Sequence, residues 1–397
     1  MNGALKPDHV GAPQFRCFAA ALLVMLLMLT GCAQVTRNDS LAKAAPPGGL
    51  LGEVREITRT EGLTAAREHL VDGLERLDAS GGELEKRVVR TTRDPDLVLS
   101  DALAAMPLSA RRRTAIAIVP GTRAGSKAKG DRTVECLKGA AEMSREMGFS
   151  TYFLDTEARG TVEENADRVA LQLSEVFEKS DRVILLMLSK GAHDVIRYLQ
   201  EGGSSLPASH REKLAVVLSL AGTVQGSVVA EWMAYSSRPL AVTTRGFLRL
   251  SGQDEAIAML RSVGSNPWHP EDMAEMPDRY PNLTWISIAM VPDGPDGRIT
   301  EKLWAPYIRK RIEKTAPIYS PNDGLVETAA SVLPESVALR QWVVPGMGSH
   351  AMPNGTYRNG VRIAPRTTEV GEEDLKPETG GEVISAYLRA MPITLID

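Results

Sequence analysis

The chain has 397 residues, 43% of them hydrophobic and 24% charged, with a formal net charge of −4. That composition fills one large core or two ordinary ones, and without a Lys/Arg block interleaved with aromatics it excludes a nucleic-acid partner. No His-Glu-x-x-His run or clustered His/Asp spacing marks a metal site and no glycine-rich loop marks a phosphate site, so neither a metal nor an organic cofactor is expected.

Lys6 and Arg16 precede an apolar run from Phe18 to Leu29, which is closed by Leu29-Thr30-Gly31-Cys32. The run is shorter than the roughly 20 residues of a bilayer-spanning helix and reads as an export signal. Its close resembles a bacterial lipoprotein lipobox. The resemblance implies that residues 1–31 are removed and that Cys32 is acylated, with the mature chain tethered to a membrane of the bacterial cell envelope. Ala33, where an inner-membrane lipoprotein commonly carries aspartate, points to the periplasmic side of the outer membrane. An uncleaved anchor or an ordinary secretory peptide is the alternative. Beyond Cys17 and Cys32 only Cys136 remains, so the mature chain has no intramolecular disulfide. Set among Val134, Leu137 and Ala141 at helical spacing, Cys136 reads as a small buried hydrophobe, not a nucleophile.

Residues 32–52, with Ala44-Ala45-Pro46-Pro47-Gly48-Gly49, have no hydrophobic period and read as a tether. Residues 53–113 read as a helical N-terminal extension. Val54, Ile57, Leu63, Leu70, Leu74 and Leu77 mark two short helices broken near Gly62, and a further helix is expected over Leu97 to Ala104.

Strand and helix signals alternate from Thr114 onward. Ala115 to Val119 is a short strand ending in Pro120-Gly121-Thr122, and Asp131 to Met147 is a helix stopped by Gly148. Tyr152 to Leu154 is a second strand, and Thr161 with Glu164 forms a capping box before a helix faced by Ala166, Val169, Leu173, Val176 and Phe177. Arg182 to Leu188 is a strand buried on both faces, after which the period changes to helical within about two residues, leaving Ser189 at the corner. Leu214 to Leu220 is the next strand. This order implies a parallel sheet with right-handed crossovers and helices on both faces.

A serine between strand and helix suits nucleophilic acyl transfer. The turn lifts its hydroxyl clear of the sheet edge, and the N–H groups that open the helix face a developing oxyanion. Ser189-Lys190-Gly191-Ala192 resembles the nucleophile elbow of the α/β-hydrolases, with Met187 standing where that family prefers a small residue. The resemblance runs from Thr114 to Leu388. It implies an α/β fold of α/β-hydrolase type over residues 114–397: a mostly parallel sheet with helices on both faces and an insertion after the strand that follows the elbow. It also implies oxyanion donors at the Lys190 and Thr122 N–H groups, although Pro120-Gly121-Thr122 also reads as a plain turn.

Residues 221–282 interrupt the alternation and form that insertion, a lid or cap in this family or else a structural excursion. Leu283 to Val291 is a further strand, a turn-rich stretch holds Asp293, and Trp304 to Ile312 reads as a helix. Ser320-Pro321-Asn322-Asp323-Gly324-Leu325-Val326 follows, then the strand Trp342 to Val344 with the loop Pro345 to His350, and a final helix over Gly381 to Leu388.

A serine hydroxyl needs a base and a group that orients the base. Of the six histidines, His9 leaves with the leader, His69 lies in the extension, His193 and His210 lie in or after the elbow helix, and His269 lies in the insertion. His350 alone follows a late strand in a glycine-rich loop. Ser189, Asp323 and His350 stand in the order the resembled family uses, with Asp293 as the rival acid. Two functions stay open: a membrane-tethered serine hydrolase, a carboxylesterase or lipase-like enzyme acting on an ester or lipid, and an inactive hydrolase-like lipoprotein serving as a binding or envelope-scaffolding protein.

Overall fold

The aliphatic runs assemble into one sheet. The computed structural model describes residues 48–396 apart from 95, 98, 123–131, 238, 269, 292–319, 351, 359–360 and 364–376. The leader, most of the tether, Cys32, His269, Asp293 and the expected helix at Trp304 to Ile312 therefore lie outside the described residues.

The strands are β1 Thr114–Val119, β2 Ser150–Phe153, β3 Arg182–Leu188, β4 Leu214–Leu220, β5 Thr284–Val291, β6 Arg340–Ser349, β7 Met352–Arg358 and β8 Val361–Ile363. Their spatial order is β2-β1-β3-β4-β5-β6-β7-β8. The first six run parallel, and β7 and β8 add an antiparallel hairpin at one edge. That hairpin is not legible as strands: Pro353, Asn354 and Gly355 break both alternation and β propensity. For the same reason β6 continues through Pro345-Gly346-Met347-Gly348 to Ser349, where the sequence reads as a loop.

Alternate strand residues feed opposite layers. On one face Ile116, Ile118, Ile184, Leu186, Ile286 and Ile288 pack against α5 (Arg132–Glu146) and a C-terminal helix at Pro377–Ala390. On the other, Val183, Leu185, Met187 and Val217 pack against α6 (Val162–Lys179) and α7 (Gly191–Ser205), with Tyr280 and Trp285 alongside. Thr161 caps α6 by the reciprocal capping box. Between β4 and β5 lie four helices: α9 Val228–Tyr235, α10 Pro239–Leu250, α11 Asp254–Gly264 and α12 Pro270–Arg279; the short α8 is Ala208–Lys213.

The N-terminal helices are bonded into this core. α1 spans Gly49–Thr60, α2 Leu63–Leu77, α3 Glu83–Arg93 and α4 Leu108–Arg113. Leu50, Leu51, Val54, Leu70 and Leu74 bury themselves against Ala289, Val291, Val343 and Met347 of β5 and β6. α1 begins at Gly49, inside the stretch 32–52 read as tether, because Leu50 and Leu51 are core residues that the preceding Pro and Gly residues mask in the sequence pattern. Leu84 and Val88 of α3 join the opposite core, and the expected helix over Leu97 to Ala104 is only a 3₁₀ turn at Leu103–Ala105.

Candidate active site

The carboxyl ends of the parallel strands converge on Ser189, as ligand sites in such sheets do. Ser189 follows β3 directly and has φ 55°, one of two non-glycine residues among those described with positive φ. A left-handed serine costs of order 1–3 kcal/mol and persists only where its surroundings fix it. Two glycines permit it. A Cβ on Gly191 would lie 2.6 Å from the Val119 carbonyl oxygen and 2.8 Å from that of Pro120, and a Cβ on Gly121 would lie 3.0 Å from Ser189 Cβ. Pro120 and Gly121 are thus pressed against the elbow, and Lys190 N–H stands just before the first turn of α7.

Met187 packs in the core two residues before this turn. It is fully buried in the layer beneath α7, paired in register with Val119 on one side and Ser219 on the other. A small hydroxyl residue at the neighbouring position of β4 leaves the long thioether side chain its space.

His350 follows β6, and its imidazole bridges two of the residues named above. Nε2 lies 2.7 Å from Ser189 Oγ and Nδ1 lies 2.8 Å from Asp323 Oδ2. A carboxylate only accepts, so Nδ1 carries the proton and Nε2 is left to accept from the serine hydroxyl. Asp323 and His350 are buried, and Ser189 is partly exposed. The second carboxylate oxygen of Asp323 accepts from the Leu325 N–H at 3.0 Å and the Val326 N–H at 2.8 Å, and the Asp323 carbonyl accepts the His350 N–H at 3.0 Å. Backbone N–H groups therefore fix the Asp323 carboxylate, and a backbone bond ties the His350 main chain to the same loop.

Of the other histidines, His69 faces Glu53 at a part-exposed position on α2, and His210 stacks on Phe177. Neither is near Ser189 by hydrogen bonding. His193 is closer. Its Nδ1 lies 2.9 Å from Thr223 Oγ1 and its Nε2 lies 3.0 Å from the Ser265 carbonyl, while the Thr223 N–H donates to the Ser189 carbonyl at 3.1 Å. Burial pulls the His193 ring down to about 4.

Lys190 is wholly buried, and its ammonium donates to both oxygens of Asp194 at 2.8 and 2.9 Å. Burial pushes the Asp194 carboxyl up to about 6 against the pull of Lys190. Asn165 of α6 donates to Asp194 at 3.2 Å and to the Glu157 carbonyl at 3.0 Å. Thr223, Asp194 and Asn165 receive no role from the sequence alone. The available signal is the polar pair His193-Asp194 on a helix otherwise buried through Ala192, Val195 and Ile196.

No protein-family model and no curated protein matches this chain. Similar solved structures include a metagenomic carboxyl esterase, 18% identical over 78% of this chain and 90% of that one, with a TM-score of 0.48. The mature lipase BlEst2 of Bacillus licheniformis is 17% identical over 60% of this chain and 86% of that one, with a TM-score of 0.38. Phospholipase PlaB of Legionella pneumophila is 12% identical over 55% of this chain and 45% of that one, with a TM-score of 0.35. In the sheet itself, Ser189 occupies the turn after the third of six parallel strands, Asp323 lies between the fifth and sixth, and His350 follows the sixth: the chain has an α/β-hydrolase-type fold.

Proposed function

We propose that the protein is a serine hydrolase of carboxylic esters, lipid esters among them, tethered to the cell envelope through an acylated Cys32. The observation that carries the reading is the unbroken run of hydrogen bonds Ser189 Oγ to His350 Nε2 and His350 Nδ1 to Asp323, on a serine held at φ 55°. Ser189 Oγ attacks the ester carbonyl while His350 Nε2 takes its proton. The alcohol leaves with that proton, and the acyl group stays on Ser189. Water then repeats the sequence, giving its proton to His350 and releasing the acid as Ser189 recovers its own. The oxyanion formed in each half faces the Lys190 N–H and the Thr122 N–H, each such donor being worth roughly 3 kcal/mol.

A fluorophosphonate probe tests the reading before any substrate is known. Wild type is expected to label, Ser189→Ala not at all, and His350→Ala only weakly, with all three folded alike by circular dichroism. A folded wild type that stays unlabelled would favour the binding or scaffolding lipoprotein instead.

A further inference from the structure

The N-terminal helix α1 carries no residue of the hydrogen-bonded run, yet it is joined to it through one buried ion pair. Arg55 of α1 forks onto Glu327, Nε to Oε1 at 2.9 Å and Nη2 to Oε2 at 2.5 Å, across 272 residues of sequence. The Glu327 side chain is 1% exposed and Arg55 21%. Glu327 in turn closes the loop that holds Asp323. Ser320 Oγ donates to Glu327 Oε1 at 2.7 Å, Asn322 and Glu327 form an antiparallel bridge, and the Asp323 N–H donates to the Val326 carbonyl at 3.1 Å. Asp323 therefore sits inside a loop whose two ends meet at the Glu327 carboxylate.

A buried carboxylate persists ionised only if it is paired and hydrogen-bonded. A guanidinium serves this geometry because its planar fork meets both oxygens at once. The insertion presses on the same place. Ser227 Oγ donates to the Leu325 carbonyl at 2.9 Å, and Glu231 of α9 is near enough for its charge to act on Arg55. Burial raises the Glu231 carboxyl, Arg55 draws it down, and Glu327 repels it. The charge of one cation from the N-terminal extension thus acts on a carboxylate of the acid's loop, which it contacts, and on a carboxylate of the insertion.

We propose that Arg55 is a positioning residue for Asp323: the extension, by neutralising Glu327, holds the acid's loop in the shape that aims Asp323 at His350. The role in catalysis rests on the hydrolase reading above. The geometric claim does not, because it concerns the Asp323 to His350 hydrogen bond itself.

The test uses the full chain and two readouts, the rate of fluorophosphonate labelling at Ser189 and the far-downfield imidazole N–H proton of His350 in the NMR spectrum, assigned by its loss in His350→Ala. Arg55→Met is expected to label at least tenfold more slowly and to lose or broaden that resonance. The double variant Arg55→Met/Glu327→Leu removes both charges of the buried pair, so that no Glu327 carboxylate is left unpaired in the core to unfold the protein. It is expected to recover the thermal midpoint but not the labelling rate or the resonance. A double variant that labels and resonates as wild type does would overturn the proposal, reducing the pair to a stabilising contact. If wild type itself fails to label, the hydrolase reading falls, and the resonance alone decides whether Arg55 positions Asp323.

Discussion

His193 and Thr223 share a hydrogen bond of 2.9 Å directly behind the Ser189 carbonyl, which accepts the Thr223 N–H. The Ser265 carbonyl on the far side of the ring only accepts, so Nε2 carries the proton and Nδ1 takes one from the Thr223 hydroxyl. A neutral His193 thereby ties the elbow to the end of the insertion's third helix, α11.

The acid sensitivity of folding should report this ring. Burial first, and the nearby Lys190 ammonium in addition, lower the His193 pKa from 6.5 to about 4. The folded pKa lies below the unfolded one, so between the two values the unfolded chain holds a proton that the native ring refuses. Stability is therefore lost as the pH falls from the ordinary value towards about 4, by about 3 kcal/mol in all. Denaturant titrations at pH 7 and pH 4 should show wild type losing about that much more than His193→Gln, in which the other acid-sensitive groups are unchanged. Equal losses in the two proteins would contradict the buried neutral ring.

Gly191→Ala should disable the elbow with little effect elsewhere. The added Cβ would meet two backbone oxygens, of Val119 and Pro120, at distances no Cβ contact tolerates. Either the loop after β1 retreats or Ser189 turns, and a displacement of about 1 Å at a reacting group costs roughly a hundredfold in rate. Labelling should fall by about that factor while far-ultraviolet circular dichroism is retained. Labelling at the wild-type rate would show that the contact between the two loops relaxes freely.

The parallel sheet and the turn at Ser189 are legible in the sequence because both depend on local pattern: uninterrupted aliphatic runs, a change of period, and Gly191 two residues after the serine. Asp323 and His350 are legible as residues but only through their order along the chain. The hydrogen bonds that hold them come from backbone groups whose placement no pattern encodes. What local pattern does not encode is long-range or locally disguised. Arg55 and Glu327 are 272 positions apart, and neither differs in type from a solvated surface charge. The β6–β7 pairing is hidden for a different reason, since Pro345, Gly346, Gly348 and Pro353 make local propensity argue for a loop, and tertiary pairing overrides it.

Asp323→Asn should slow turnover by about four orders of magnitude, as the comparable change does in a serine protease, because the amide leaves the imidazole in the wrong tautomer. Asp293→Asn should change it little. Steady-state rates on a short-chain nitrophenyl ester would decide, and the reverse ranking would make Asp293 the orienting acid.

Mass spectrometry of the native protein addresses the anchor. The first residue recovered should be Cys32 bearing acyl chains, with no peptide from residues 1–31, and Cys32→Ser should release the protein from the membrane fraction. One acyl chain holds a protein only marginally, and the two or more of a lipoprotein hold it stably. Recovery of the leader intact would refute the assignment.

Met187→Ala distinguishes a core role from an inhibitory one. Met187 is fully buried between Val119 and Ser219 in register, in the layer that also holds Ala192 and Val195 of the elbow helix. Truncating a buried methionine to alanine costs about 2–5 kcal/mol, partly for lost transfer energy and partly for the cavity left behind. If the side chain serves as packing beneath an elbow that is already closed, the variant should unfold at lower denaturant and its folded molecules should label at the wild-type rate. If instead the thioether obstructs the turn, shortening it should speed labelling despite the lost stability. Faster labelling of Met187→Ala, measured below its unfolding transition, would show that the methionine restrains the serine, and an unchanged rate with a lowered midpoint would show that it only fills the core.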